Sequence, residues 1–426
     1  RSDSAANYRY DWFVRRLLSR MEIADLAKPG SARPLFGQEP DAGYWSGGFS
    51  PSGRRLIVFR LQAERLRAGI LEMATRKIRW LDFAPDLPIA APAPVWLDDD
   101  RLVMIGLADG HLPELLSAGG KMQDRTVADW SRARAGQSTV REKGSGRFRN
   151  AGLGFRNRTL MLVKVSTLRR RVLATGDIRD LAVSADRRHA ALLLRGGAAP
   201  GADVDMIDPA YEPRVQQLRI VDIAGGASSE PCGRCDILPN LLRWSPDGRR
   251  LMFLGRQPGS DWTTGTIRVW DAATRSLRAP LPRGLHPALE IASGSTRLVR
   301  AGWAGDRLII RARSGSDPRL DWYLVGGPSA RNMTAGLDVA PPMLLAAGRT
   351  GILFVRDNEV WRASLNGEAL SRATAGQVVS TGLSPFDINA LSDIEKLEDT
   401  FFDTMRKSLS QAAGPLDGTW GQVLEK

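Results

Sequence analysis

The chain has 426 residues, 43% of them apolar, and carries a formal charge of +13 from 60 Lys and Arg against 47 Asp and Glu. That apolar share supports a sizeable core and excludes a disordered chain. No apolar run reaches the roughly 18 residues that a membrane-spanning helix requires. The first residue is Arg1 rather than Met, so the expectation is an N-terminus trimmed by processing or cutting.

In chain order, Trp12, Phe13, Leu17 and Met21 stand near helical spacing and Pro29-Gly30 follows, which predicts a helix within Tyr8–Gly30. A turn-and-run unit comes next. "FSPSGRRLIVFR" (Phe49–Arg60) and "LLRWSPDGRRLMFLG" (Leu241–Gly255) are its clearest copies. "VWLDDDRLVMIG" (Val95–Gly106), "VSADRRHAALLL" (Val183–Leu194), "GWAGDRLIIRA" (Gly302–Ala312) and "LAAGRTGILFV" (Leu345–Val355) are looser ones. Pro and Gly set the turn dihedrals, Ser or Asp bonds to the turn backbone, and the apolar run reads as buried strand. A second strand–turn–strand unit follows each copy, starting at Ile70, Leu115, Leu162, Arg219, Arg268, Tyr323 and Val360, at a mean spacing of about 48 residues.

Two hairpins per period describe a four-stranded blade, and a ring of blades leaves no sheet edge exposed. The expectation is therefore an all-β chain: a seven-bladed β-propeller, with six to eight blades allowed, over residues 41–380. Helical extensions occupy 1–40 and 381–426. In the C-terminal extension Ser392 and Glu395 form a capping box, Ile394, Leu397, Phe401, Met405 and Leu409 one apolar stripe, and Gly414-Pro415 the stop. The third unit lacks a clear first hairpin. There the segment from Arg132 to Arg171 holds twelve basic residues against one acid, Glu142.

"SPDGRRLMFLG", "VWDAATR" and "FSPSGRRLIVF" resemble the propeller of the prolyl oligopeptidase family of serine peptidases, over roughly Met21–Thr374. "CGRC" shortly before "RWSPDGRR" is similar to a cysteine pair in the lasso-peptide isopeptidase branch. These turn motifs also occur in Tol-system periplasmic propellers. The resemblance implies a propeller that covers an α/β-hydrolase active site and admits only peptide-sized substrates. The chain departs from the family in having no G-x-S-x-G, and "GYWSGG" (Gly43–Gly48) has Tyr44 where the first Gly belongs. His111, His189 and His286 are the only histidines, so no catalytic triad carries over. The expectation is either the propeller part of a longer peptidase, with the hydrolase domain outside this chain, or a descendant that lost it.

"GADVDMIDPAYEPR" (Gly201–Arg214) gathers Asp203, Asp205, Asp208 and Glu212. Its spacing departs from a Ca²⁺ loop, and a solvated loop is the plainer reading. Because acidic propeller residues clamp the substrate's amino end in dipeptidyl peptidases, the resemblance makes Glu212 and Asp208 candidates for substrate binding. Cys232 and Cys235 form a C-x-x-C without enough partners for zinc; a local disulfide and plain loop thiols are the alternatives, and the disulfide would favour the periplasm. No metal and no cofactor is expected. Arg147, Arg149, Arg156, Arg158, Arg169, Arg170 and Arg171 form a candidate basic patch, with Phe148 and Phe155 interleaved. Nucleic acid is the disfavoured partner, because a basic stretch is usually a solvated face. Trp45, Trp96, Trp244, Trp270, Trp303 and Trp361 recur near turns and strands, as core packing would place them.

The sequence thus points first to a non-catalytic module that binds or gates a peptide or protein ligand. The alternatives are a stand-alone interaction scaffold of the cell envelope and a polyanion binder acting through residues 132–171.

Overall fold

The computed structural model describes residues 20–62, 65–86, 94–107, 127–128, 130–137, 158–198, 214–238, 241–291, 297–326, 329–356, 359–365 and 370–372. Among them are six antiparallel sheets of four or five strands. The first runs in simple order through Gly43–Phe49, Arg55–Gln62, Arg65–Glu72 and Lys77–Trp80. The second holds Ala84–Pro85 and Val95–Trp96 against Arg101–Leu107, then Arg158–Lys164 and Arg169–Gly176. The third is Ile178–Val183, His189–Ala198, Arg214–Asp222 and Ser228–Ser229. In the fourth, Asp236–Ile237 and Arg243–Trp244 flank Arg250–Arg256, with Thr266–Asp271 and Leu277–Arg278 beyond. The fifth repeats that plan with Leu285–Pro287, Ala301–Ala304, Arg307–Ser314, Asp321–Val325 and Ala330–Asn332. The sixth is Ala346–Ala347, Gly351–Arg356, Glu359–Ser364 and Ser371–Arg372.

Two compact units divide the chain. One carries the first and second sheets and most of the third, up to Ser229. The other carries Glu230 onward, together with Ser184–Asp186 and Pro209–Leu218.

Within each unit, the apolar run after the turn is buried on both faces. Leu56 and Val58 pack with Leu35, Phe36 and Tyr44, while the alternate residues Ile57 and Phe59 pack with Leu102, Met104 and Val163 of the second sheet. Val103 and Ile105 then turn to the third sheet and meet Leu181, Ala190 and Leu192. In the other unit Leu308 and Ile310 face Met252 and Leu254, while Ile309 faces Ile352 and Phe354. A strand with a sheet on each side must be apolar at every position, which is why these runs do not alternate. Each such side chain contributes about 1.5–3 kcal/mol of burial.

In the first and fourth sheets the turn before the run is built by its serine. Ser245 N–H donates to Arg250 O (2.7 Å), Gly248 N–H donates to Ser245 O (2.8 Å), and Arg250 N–H donates to Ser245 Oγ (2.9 Å). Ser50 makes the same three bonds with Arg55 and Gly53, at 2.8, 2.8 and 3.2 Å. The fourth turn position is left-handed: φ is 71° at Gly53 and 73° at Gly248, and 63° where the third copy places Arg187.

Two expectations need correction. The region predicted as a helix within Tyr8–Gly30 contains no helix over its described part. Glu22–Ile23 instead pairs with Arg33–Pro34, because Gln38 holds both the N–H and the C=O of Met21 and fixes an extended chain there. Residues 1–19 lie outside the described residues, as does the expected C-terminal helix. The strand containing Leu162 does not open a unit of its own. Arg158–Lys164 pairs with Arg101–Leu107 in perfect register, from Arg158↔Leu107 to Lys164↔Arg101, so it completes the second sheet. That reduces the seven expected units to six sheets among the described residues and explains the missing hairpin.

Replacing Arg187 by Gly should stabilise the protein by about 0.5–1 kcal/mol, the relief of a left-handed non-glycine residue less the added freedom of the unfolded chain. Gly248→Ala should cost about 1–3 kcal/mol, since a Cβ there would also lie 2.7 Å from the Asp186 amide nitrogen. Urea denaturation reads both.

Candidate functional site

The first residue of the strand after each turn is Arg55, Arg101, His189, Arg250, Arg307 or Gly351 in the six sheets. In the N-terminal unit the arginines are neutralised. Arg55 Nε donates to Glu72 Oε1 at 2.7 Å and its Nη1 to Asp99 O at 2.6 Å. Arg101 Nε donates to Asp98 Oδ2 at 2.7 Å. In the C-terminal unit, Arg250 and Arg307 have no carboxylate partner among the described residues. They line a cleft of about 260 Å³ with Arg349, Asp247 and Asp306. Arg349 too has no ion-pair partner among the described residues, and it is exposed.

Local packing aims these groups. The Arg250 guanidinium sits 4.9 Å from the centroid of Trp303, whose indole N–H donates to Arg243 O at 2.9 Å. The same staple recurs in the other unit, where Trp96 donates to Gly48 O at 3.2 Å. Asp247 is already engaged by the Ser245 hydroxyl and the Arg249 amide. Burial opposes its ionisation, but those two bonds and the Arg250 and Arg249 charges outweigh it and hold its carboxyl below the usual range. The cleft therefore offers three guanidinium forks without an ion pair among the described residues, against two carboxylates, Asp306 and Asp247, whose Oδ1 takes both of its bonds. Planar forks match carboxylate and phosphate oxygens, so the arrangement suits an anionic group.

The residues proposed from the sequence fare differently. Arg158 is not part of a solvated basic face. Its side chain is 3% exposed, with Nε 2.5 Å from Asp86 Oδ2 and Nη1 bonded to Ile178 O at 3.0 Å. Asp177 lies 3.7 Å from it and is itself held by Arg195 at 2.6 Å. Burial demands these counter-charges, and they join the second and third sheets. Of the exposed strand Arg169–Gly176, Arg170 pairs with Asp82 (3.2 Å) and Arg171 donates to the carbonyls of Ile223 and Ala224 (2.6 and 2.7 Å). Only Arg169 of these three has no ion-pair partner or side-chain hydrogen bond among the described residues. Arg147, Arg149, Arg156, Asp208 and Glu212 lie outside the described residues. Cys232 and Cys235 share one turn, with Cα atoms 5.3 Å apart, a separation that a local disulfide can span. Among the described residues no group of three or more His, Cys, Asp or Glu could hold a metal ion, and no helix is long and apolar enough to cross a membrane.

The acid–arginine pairs were missed in the sequence. Asp177–Arg195 and Asp236–Arg256 (2.7 Å) occupy matching places, the acid at the start of a sheet's first strand and the arginine at the far end of the next. Glu290, in a separate two-stranded ladder of Leu289–Ile291 with Arg297–Val299, takes Arg300 and, from the fifth sheet, Arg311, at 2.9 and 2.6 Å. A recurring signal was present: "GDI" with "LLLR", then "CDI" with "FLGR".

Arg158→Met should cost about 3–5 kcal/mol in urea denaturation by removing the guanidinium that the buried Asp86 carboxylate faces, whereas Arg169→Gln should stay within about 0.5 kcal/mol. Because the Asp247 carboxyl is held low when folded, its contribution is complete above about pH 4 and is lost as pH falls through its folded value. Asp247→Asn should accordingly flatten the acid limb of stability against pH.

A family model described as "Family of unknown function (DUF6781)" matches residues 369–426. No curated protein matches the chain. In fold the chain is similar to dipeptidyl peptidase 4 of Porphyromonas gingivalis (10% identity, TM-score 0.45), covering 87% of this chain and 48% of that one. It is similar to one of two prolyl endopeptidases (13%, 0.41; 84% and 46% covered). It is also similar to an oligogalacturonate lyase in complex with manganese (15%, 0.39; 84% of each). The chain spans just under half the length of the two peptidases. At these identities and scores the likenesses carry no argument about what the chain binds or does.

Proposed function

We propose that the sheets are blades of a β-propeller and that the chain is a non-catalytic module that binds or gates a peptide or protein ligand. The repeated four-stranded meander, with both-face burial in successive sheets and the same serine turn in the first and fourth, supports the propeller reading. The binding reading rests on one observation. The strand-start arginines are paired in the N-terminal unit, yet Arg250 and Arg307, joined by Arg349, are left without carboxylate partners around a cleft. An unneutralised cluster of this kind gains most from an acidic side chain or terminus of a partner.

Fluorescence anisotropy with a labelled, end-capped peptide rich in Asp and Glu tests this. Arg307→Gln and Arg349→Gln should each weaken binding about tenfold, the loss of one charge-assisted contact. Raising salt from 0.05 to about 0.5 M should weaken it further, because these forks are partly exposed. Equal affinity in both variants and the parent would remove the cleft from the binding site.

A further inference from the structure

The N-terminal unit holds a second cleft, of about 130 Å³, where the segment Phe36–Glu39 crosses one face of the first sheet. Its walls differ in kind. Phe36, Ile78 and Trp80 supply apolar surface, and Arg60 and Arg76 supply positive charge. Phe36 is fixed edge-on to Tyr44 at 5.2 Å. The Arg60 guanidinium lies 4.6 Å from the Trp80 ring centroid, and its Nη1 bonds to Glu39 Oε1 at 2.7 Å. Arg60 Nε is buried with no hydrogen-bond partner, an uncompensated donor of the kind native structures seldom leave. Arg76, at the left-handed end of the turn before Lys77–Trp80 (φ 56°), has no ion-pair partner among the described residues. One carboxylate, Glu39, therefore faces two guanidinium groups across a space of about four water volumes.

We propose that this cleft binds a carboxylate borne on a single apolar group of side-chain size. The carboxylate sits between Arg60 and Arg76, and the apolar part lies against Phe36, Ile78 and Trp80. The chemistry is that of a peptide ending in an aliphatic residue. The peptide origin rests on the reading given under Proposed function, whereas the cleft's preference for an apolar carboxylate does not. The two clefts belong to separate units and share no residue.

Isothermal titration calorimetry of the full chain with N-acetyl-leucine and with N-acetyl-leucinamide separates the parts of this proposal. The acid should bind saturably, and the neutral amide at least tenfold more weakly. Arg76→Asn, which keeps a residue tolerant of positive φ, should weaken the acid at least fivefold and leave the thermal unfolding midpoint unchanged. Arg307→Gln should lower affinity for the acidic peptide without altering that for N-acetyl-leucine, so the two readings fail separately. Equal affinity for acid and amide, no saturable heat with the acid, or an Arg76→Asn variant that binds like the parent would overturn the proposal.

Discussion

Burial of one strand on both of its faces is the constraint from which the rest follows. Leu56 and Val58 look one way and Ile57 and Phe59 the other, so the first sheet cannot be finished without a layer on each side. The second sheet supplies one of those layers and in turn needs the third, which Val103 and Ile105 supply with a surface. The lead-in supplies the other through Leu35 and Phe36. Sheets that are each half of two cores have no natural stopping point except an end cap or closure, the logic shared by repeat architectures in general.

That layered packing also decides where charge can reside. At the start of the third and fourth sheets, acid and arginine are drawn inside as pairs, Asp177 with Arg195 and Asp236 with Arg256. At the turns before these runs the arginines reach the surface, and their state depends on the turn sequence. "DDDR" brings its own acids to Arg101, whereas "AGDR" and "GRTG" leave Arg307 and Arg349 facing open space. These turns differ in length as well as in sequence, with Ser245 N–H bonded to Arg250 O, Leu97 N–H to Arg101 O and Ala304 paired with Arg307, and the difference separates a neutralised surface from a receptive one.

Much of this was legible in the residues. The unbroken apolar runs and the Ser-x-Asp-Gly turns specified strands, buried faces and repeat, because both depend on local chemistry. What depends on distant partners was not. Nothing local distinguishes Arg158, buried against Asp86, from Arg169 at the opposite end of the next strand. At Met21 the extended backbone is fixed by Gln38, seventeen residues away, which holds both its N–H and its C=O. The division into units was misjudged for the same reason. The partner of Arg158–Lys164 is Arg101–Leu107, and no property of either strand announces the other across the intervening sequence.

That last pairing gives residues 108–157 an unusual freedom. Leu107 and Arg158, the residues on either side, sit directly opposite each other in one ladder, so the gap to be bridged is a single strand spacing whatever the number of residues between. Lengthening such a connection costs only a logarithmic increment of chain entropy. Evolution, or an engineer, can therefore exchange this stretch for a longer one, or for a whole folded cargo, while the ladder beneath stays unaltered.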